Sequence, residues 1–146
     1  MKLLLISSAG GHFTELLQLK EVFEKFDHVI VSADREDTHG IADYLVDDPG
    51  TNSLNYLKLI LTSLSILLKE NPDVIITTGA GIAFPMILLG KLLGKKIVFI
   101  ESICRFEDLS RTGKWVYKLR LYDLFLVQWP ELQKKYPKTK YWGQVI

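Results

Sequence analysis

DVIITTGAGIAFPMILLG, residues 73–90, runs a strand, a glycine turn and a helix together in one short stretch. Val74–Ile76 is apolar on both faces of an extended chain, and Gly79 and Gly81 bracket a sharp turn. The apolar run that follows reads as a helix over 83–93, with Pro85 in its first turn and Gly94 closing it. Strands buried on both faces belong to parallel sheets, because the crossover joining parallel neighbours lays a helix on the sheet.

The same alternation extends outward in both directions. Leu3–Ile6 opens the chain, and HVIVS (28–32), KIVFI (96–100) and the strand predicted over Asp123–Gln128 are equally apolar. Short strands are predicted at Tyr44–Val46 and Tyr141–Val145. Between them, Phe13–Phe26 places Phe13, Leu16, Leu17, Leu19, Val22, Phe23 and Phe26 at helical spacing, with Glu15, Glu21, Glu24 and Lys25 assigned to the solvent side. A long helix over 54–70 starts at a cap on Asn52 or Ser53 and stops at Asn71-Pro72. Shorter helices follow at Gly113–Leu121 and from Pro130 to Lys135. The sum is an α/β chain: a single Rossmann-like, doubly wound domain over 1–146 with a mainly parallel sheet. In that architecture ligands sit at the carboxyl ends of the strands.

Composition narrows the function. The 146 residues are 48% hydrophobic and 24% charged, which suits one globular core. A net charge of +1 without a basic tract gives no case for nucleic acid. Cys104 is the single cysteine, so there is no internal disulfide, and it reads as a packed or partly exposed thiol. Lys2 is followed by too short an apolar run for a secretory signal, and no segment reaches the ~18 apolar residues of a spanning helix. Residues 54–68 and 82–93 carry few charges; they suit helices buried against a sheet, or a surface lying on a bilayer.

Three strand ends carry the candidate chemistry. Gly10-Gly11-His12 follows the first strand, where two glycines make either a plain turn or a phosphate cradle. Neither the dinucleotide nor the P-loop fingerprint is met. His12 is either a hydrogen-bonded helix-start residue or a general base for a hydroxyl. Thr78-Gly79-Ala80-Gly81 forms a second glycine turn. Glu101 ends a buried strand, where a carboxylate is costly without a partner or a task. Arg105 either pairs with it or holds a phosphate.

Taken in order, several segments resemble one known family. They are GGHFTEL, Thr78–Gly81 with Pro85, Glu101-Ser102 with Arg105, Leu109-Ser110 with Thr112-Gly113-Lys114, Val127–Pro130 with Leu132, Tyr136-Pro137, and Tyr141 with Gly143. The family is that of asparagine-linked-glycosylation protein fourteen, with its bacterial PssD-type relatives in capsule and exopolysaccharide synthesis. It is similar to the N-terminal half of a GT-B glycosyltransferase, the kind that makes lipid II.

What the resemblance implies is specific. The chain would bind a polyprenyl-diphosphate-linked sugar acceptor, and a separate small subunit resembling the C-terminal half would bring the UDP-sugar. Transfer of a hexosyl or N-acetylhexosaminyl group would be a direct inverting displacement, with no cofactor and no bound metal expected. His12 would be the base and Glu101 an active-site carboxylate orienting His12 or the acceptor sugar. Gly10 and Gly11 would line the acceptor diphosphate or the interdomain cleft. Thr78, Gly79 and Gly81 would form the second binding loop, and Arg105 would also bind the acceptor or its diphosphate. Trp129, Val145 and Ile146 would meet the catalytic partner. Eukaryotic members carry an N-terminal membrane-spanning segment; this sequence opens on its first strand, so peripheral attachment at the inner, cytoplasmic face of the cell membrane is expected. Lys58 and Lys69, or Lys91, Lys95 and Lys96, would edge the lipid-facing surface. The competing expectation is a scaffold that recruits the sugar-transferring partner without supplying chemistry.

Overall fold

Leu3 and Leu5 of the first strand pack into one apolar cluster, Leu4 and Ile6 into another. This period of two is what a strand covered on both faces requires. The computed structural model describes residues 1–145. Its strands are β1 (Lys2–Ser7), β2 (Asp27–Ala33), β3 (Tyr44–Val46), β4 (Val74–Gly79), β5 (Lys96–Ile100), β6 (Leu124–Val127) and β7 (Lys140–Tyr141). They form one sheet in the order β3-β2-β1-β4-β5-β6-β7, with every neighbouring pair parallel. The strand order reverses between β1 and β4, so the switch point lies where Ser7 pairs with Gly79.

The helices are α1 (Gly11–Leu17), α2 (Lys20–Phe23), α3 (Ser53–Glu70), α4 (Ala83–Leu92), α5 (Arg111–Lys118) and α6 (Pro130–Lys135). Helices α3 to α6 bury Leu59, Met86, Val116 and Leu132 in the larger cluster; α1 and α2 bury Phe13, Leu16 and Phe23 in the smaller one on the opposite face. Asn52 caps α3 by accepting from the Leu54 amide at 2.9 Å, and Asn71 ends it in the left-handed region, φ 44°. Gly90 lets α4 sit close to the sheet: a Cβ there would lie 2.3 Å from Cδ1 of Ile75.

Three element boundaries depart from the sequence reading. The helix expected over 13–26 is two pieces, because the Gln18 and Leu19 amides bond back to the Glu15 and Leu16 carbonyls at 3.2 and 3.0 Å, tightening the last turn of α1 and breaking its ladder. The break lets Phe23 return to the core and leaves Val22 exposed. Helix α5 starts at Arg111 rather than Gly113, since Ser110 caps it by accepting from the Gly113 amide at 2.9 Å. Finally, β7 is two residues long, not the five expected at 141–145, and Gly143 at φ 107° turns the chain out of the sheet.

Candidate functional site

The carboxyl ends of β1 and β4 carry the two glycine turns side by side. Gly10, with φ 80°, lets the chain leave β1 and enter α1 directly. This puts His12 in the first turn of α1, with its Nδ1 2.9 Å from the Thr78 carbonyl. The Thr78 hydroxyl donates in return to the His12 carbonyl at 2.7 Å. A carbonyl only accepts, so Nδ1 carries the proton and the neutral ring keeps its lone pair on Nε2. The ring rests against Gly79, where a Cβ would lie 3.9 Å from His12 Cε1 and 3.6 Å from Phe99. Gly79 sits at φ 99° and Ala80 at φ 82°; for alanine that conformation costs about 1–2 kcal/mol, held by the surrounding bonds. The Gly79 amide donates to Thr77 Oγ1 at 3.0 Å. Beside it in the ladder, Ser7 is fully buried with its hydroxyl unpartnered among the described residues.

Glu101 is expected to orient His12 or the acceptor sugar; no hydrogen bond joins it to His12 among the described residues. Glu101 is buried, and its carboxylate takes the Ser102 amide at 3.0 Å and both the amide and hydroxyl of Ser110 at 2.9 Å. Burial pushes its carboxyl above the usual range, opposed by those three donors. These bonds tie the 102–110 loop and the cap of α5 to the end of β5, while the Thr78 carbonyl is the hydrogen-bond partner of His12. Arg105 is not within ion-pair distance of Glu101, although its charge helps to lower the Glu101 carboxyl; it is exposed and lines a cleft beside α5.

Glu15, assigned by spacing to solvent, is instead buried. It accepts from the Ser102 hydroxyl at 2.8 Å, from Gln128 Nε2 at 2.9 Å and from the Ile103 amide at 3.3 Å. Gln128 also donates to the Glu101 carbonyl at 3.0 Å and accepts from the Val145 amide at 2.9 Å. One network therefore links α1, the 102–110 loop, the end of β6 and the C-terminal segment. The signal for Glu15 was its place three residues after His12, which puts both on neighbouring positions of one short helix. Gln128, at a strand end, had no local signal of its role.

Gly10 differs from a free phosphate cradle. Its amide donates to Asp37 Oδ2 at 2.9 Å, so a carboxylate stands where a phosphate oxygen would come. Asp37 is presented by the 3-10 turn Glu36–Thr38, pinned by the buried Thr38 hydroxyl on the Ala33 carbonyl at 2.7 Å. Gly11 and Gly81 are exposed at the two turns. Trp129 is half-buried and donates to the Ile103 carbonyl at 2.6 Å, bracing the 102–110 loop. Val145 is half-buried against Gln128, and Ile146 lies outside the described residues. Among the lysines expected to edge a lipid-facing surface, Lys58 pairs with Asp47, while Lys91 and Lys96 both pair with Asp123. No helix among the described residues is long and apolar enough to cross a membrane.

Comparison with known proteins gives this geometry a context. The family described as "Oligosaccharide biosynthesis protein Alg14 like" matches residues 45–145. The human UDP-N-acetylglucosamine transferase subunit ALG14 is 30% identical over an alignment covering 100% of this chain and 83% of the relative. The Schizosaccharomyces pombe subunit of the same name is 42% identical over 59% of this chain and 44% of its own length. Among solved structures, Acinetobacter baumannii MurG superposes with a TM-score of 0.73 at 15% identity, covering 89% of this chain and 42% of that one. The UDP-N-acetylglucosamine 2-epimerase of Rickettsia bellii gives 0.77 at 17%, covering 99% and 45%. At such identities these two share the fold alone, and this chain spans less than half the length of each.

Proposed function

The chain belongs to the Alg14 family of oligosaccharide biosynthesis proteins, and from that premise we propose that it is the acceptor-binding subunit of a two-subunit, UDP-sugar-dependent glycosyltransferase. Its relatives are named as UDP-N-acetylglucosamine transferase subunits, which makes UDP-N-acetylglucosamine the donor of first choice. The acceptor in this reading is a polyprenyl-diphosphate-linked sugar, and the setting is capsular or exopolysaccharide synthesis of the PssD type.

The observation that carries the proposal is the His12 ring held by Thr78 against Gly79 at the switch point, with Nε2 as its basic nitrogen. In an inverting displacement the acceptor hydroxyl oxygen bonds to the sugar's anomeric carbon as the bond to UDP breaks. His12 Nε2 takes the hydroxyl proton, and UDP leaves with the electron pair. The donor site belongs to the partner subunit. Support for such a partner comes from the sheet face carrying α1 and α2, where Val98, Leu124 and Leu126 of the outer strands are only half-buried. Peripheral attachment to the inner membrane face is supported by α3, on which Leu54, Leu57, Leu61 and Leu68 are each more than half exposed.

The test is reconstitution with a purified donor-binding subunit, following transfer from UDP-N-acetylglucosamine to a polyprenyl-diphosphate sugar. Transfer by the pair and by neither chain alone is expected. Tight binding of a UDP-sugar by this chain alone would overturn the assignment. Undiminished transfer after His12→Ala would leave only a scaffold role.

A further inference from the structure

Helix α1 is held to the rest of the protein in two ways. Phe13 and Leu16 bury into the smaller apolar cluster, which presses the helix to the sheet but, being non-directional, does not fix its rotation. Hydrogen bonds, which have a preferred direction, do. Among the described residues, His12 and Glu15 are the side chains of α1 that hydrogen-bond beyond the helix and its cap. They stand one helical turn apart and reach different strand ends. His12 meets Thr78 on β4, while Glu15 takes Ser102 after β5 and Gln128 after β6. Glu15 cannot turn away without leaving buried donors unsatisfied.

Gln128 extends this hold to the end of the chain. Its side chain is buried, with Nε2 donating to Glu15 at 2.9 Å and to the Glu101 carbonyl at 3.0 Å. Its Oε1 accepts from the Val145 amide at 2.9 Å. The amide group cannot be reversed, since that would set its oxygen against the Glu15 and Glu101 oxygens and its N–H groups against the Val145 amide. Hydrogen bonds and one turn of helix therefore join Val145 to Gln128, Gln128 to Glu15, and Glu15 to His12.

We propose that Glu15 and Gln128 are positioning residues for His12, and that the C-terminal segment regulates the base through them. With Val145 seated on Gln128, Glu15 holds α1 at the rotation that keeps Nδ1 on the Thr78 carbonyl. With that link broken, the helix is free to turn and the ring loses its fixed tautomer. Seating of the segment and readiness of Nε2 to take a proton are then one equilibrium. The inference rests on the glycosyltransferase reading and deepens it, by naming what governs its base.

The experiment reads the His12 tautomer by nitrogen-15 NMR of the full chain at about pH 8.5, where imidazoles are neutral. His12→Ala identifies its signal among the three histidines. In the unaltered chain the Nδ1–H form is expected to dominate. Gln128→Ala is expected to lower the ratio of Nδ1–H to Nε2–H rings ~5–10-fold, about the worth of one hydrogen bond. Val145→Pro deletes only the amide donor and should lower the ratio ~2–5-fold. Val145 lies outside every helix and strand, so this variant carries the test even where Gln128→Ala loses the fold. Leu132→Ala loosens α6 on the opposite face and is expected to leave the ratio unchanged. In the reconstituted pair, Gln128→Ala should lower kcat ~10-fold at unchanged KM for UDP-N-acetylglucosamine, as a misplaced base does.

A ratio unmoved in both Gln128→Ala and Val145→Pro would overturn the proposal. So would an equal fall in Leu132→Ala, which would make the effect one of stability alone. A fall in Gln128→Ala without one in Val145→Pro would overturn the role of the C-terminal segment. Sugar transfer by the pair beside an unmoved tautomer would remove the coupling and leave the glycosyltransferase reading intact. The expected tautomer shifts, with no transfer by the unaltered pair, would remove that reading and keep the coupling.

Discussion

His12 and Thr78 are joined twice, by the imidazole Nδ1 on the Thr78 carbonyl at 2.9 Å and by the Thr78 hydroxyl on the His12 carbonyl at 2.7 Å. The pair stitches the first turn of α1 to the end of β4 and sets both the orientation and the tautomer of the ring. His12→Ala is therefore expected to lower sugar transfer by the reconstituted pair at least ~100-fold, the reach of a lost acid–base group. Size-exclusion chromatography of the complex, unchanged in elution, separates this from loss of the partner.

Gly113 leaves room for Glu101: a Cβ at that position would stand 2.2 Å from Glu101 Oε2 and 3.0 Å from Ser110 Oγ. Gly113→Ala is expected to destabilise the fold by about 2–3 kcal/mol through overpacking. Glu101→Ala should cost about 2–4 kcal/mol by leaving the Ser102 and Ser110 amides without their acceptor. The double variant should cost well under the sum, since the clash disappears with the carboxylate. Urea denaturation of the four proteins measures this directly, and additive losses would contradict the contact.

Glu15→Ala removes the acceptor shared by Ser102, Ile103 and Gln128. A loss of about 2–4 kcal/mol is expected in thermal or chemical denaturation. The Ile103 amide should also exchange its hydrogen faster, because the 102–110 loop is released from α1. Glu15→Gln keeps the shape but brings its own N–H donors against existing ones, so it should rescue only part of the loss.

Asp108 is held well below its ordinary 3.8 by Lys114, by the Tyr136 hydroxyl and by Lys135. A carboxyl depressed in the folded state contributes stability above its unfolded value and loses it as pH falls through the folded value. Asp108→Asn is therefore expected to flatten the fall in stability below about pH 4, measured as the urea midpoint from pH 6 down to pH 2. Tyr136 is the reverse case. Burial, with Asp108 adding to it, pushes its hydroxyl up to about 12, so its contribution is present below its ordinary 10.0 and is lost as pH rises from there towards 12.

Much of the fold was legible along the chain. Apolar runs such as HVIVS and KIVFI, glycine turns after them, and the caps at Asn52 and Asn71 each act within a few residues, so periodicity and turn chemistry suffice to place them. The resemblance carried by GGHFTEL and TGAG pointed to the right family by the same local means. Glu15 shows the limit of that reading. A charged residue on a helix is assigned to solvent by default, and only donors 87 and 113 residues away make its burial tolerable. Glu101 shows it too, because its place at a strand end is visible in the sequence, whereas its bond to Ser110 is made only when the 102–110 loop folds back onto it.

His12 itself was visible as a candidate from the outset, flanked by glycine and opening a helix. Its partner, 66 residues on, was not. Backbone preferences are local and are written in adjacent residues. Which strand ends lie side by side depends on the crossover that carries the chain from β3 across the sheet to the far side of β1. That crossover made β4 the neighbour of β1, and so made Thr78 the residue that holds His12.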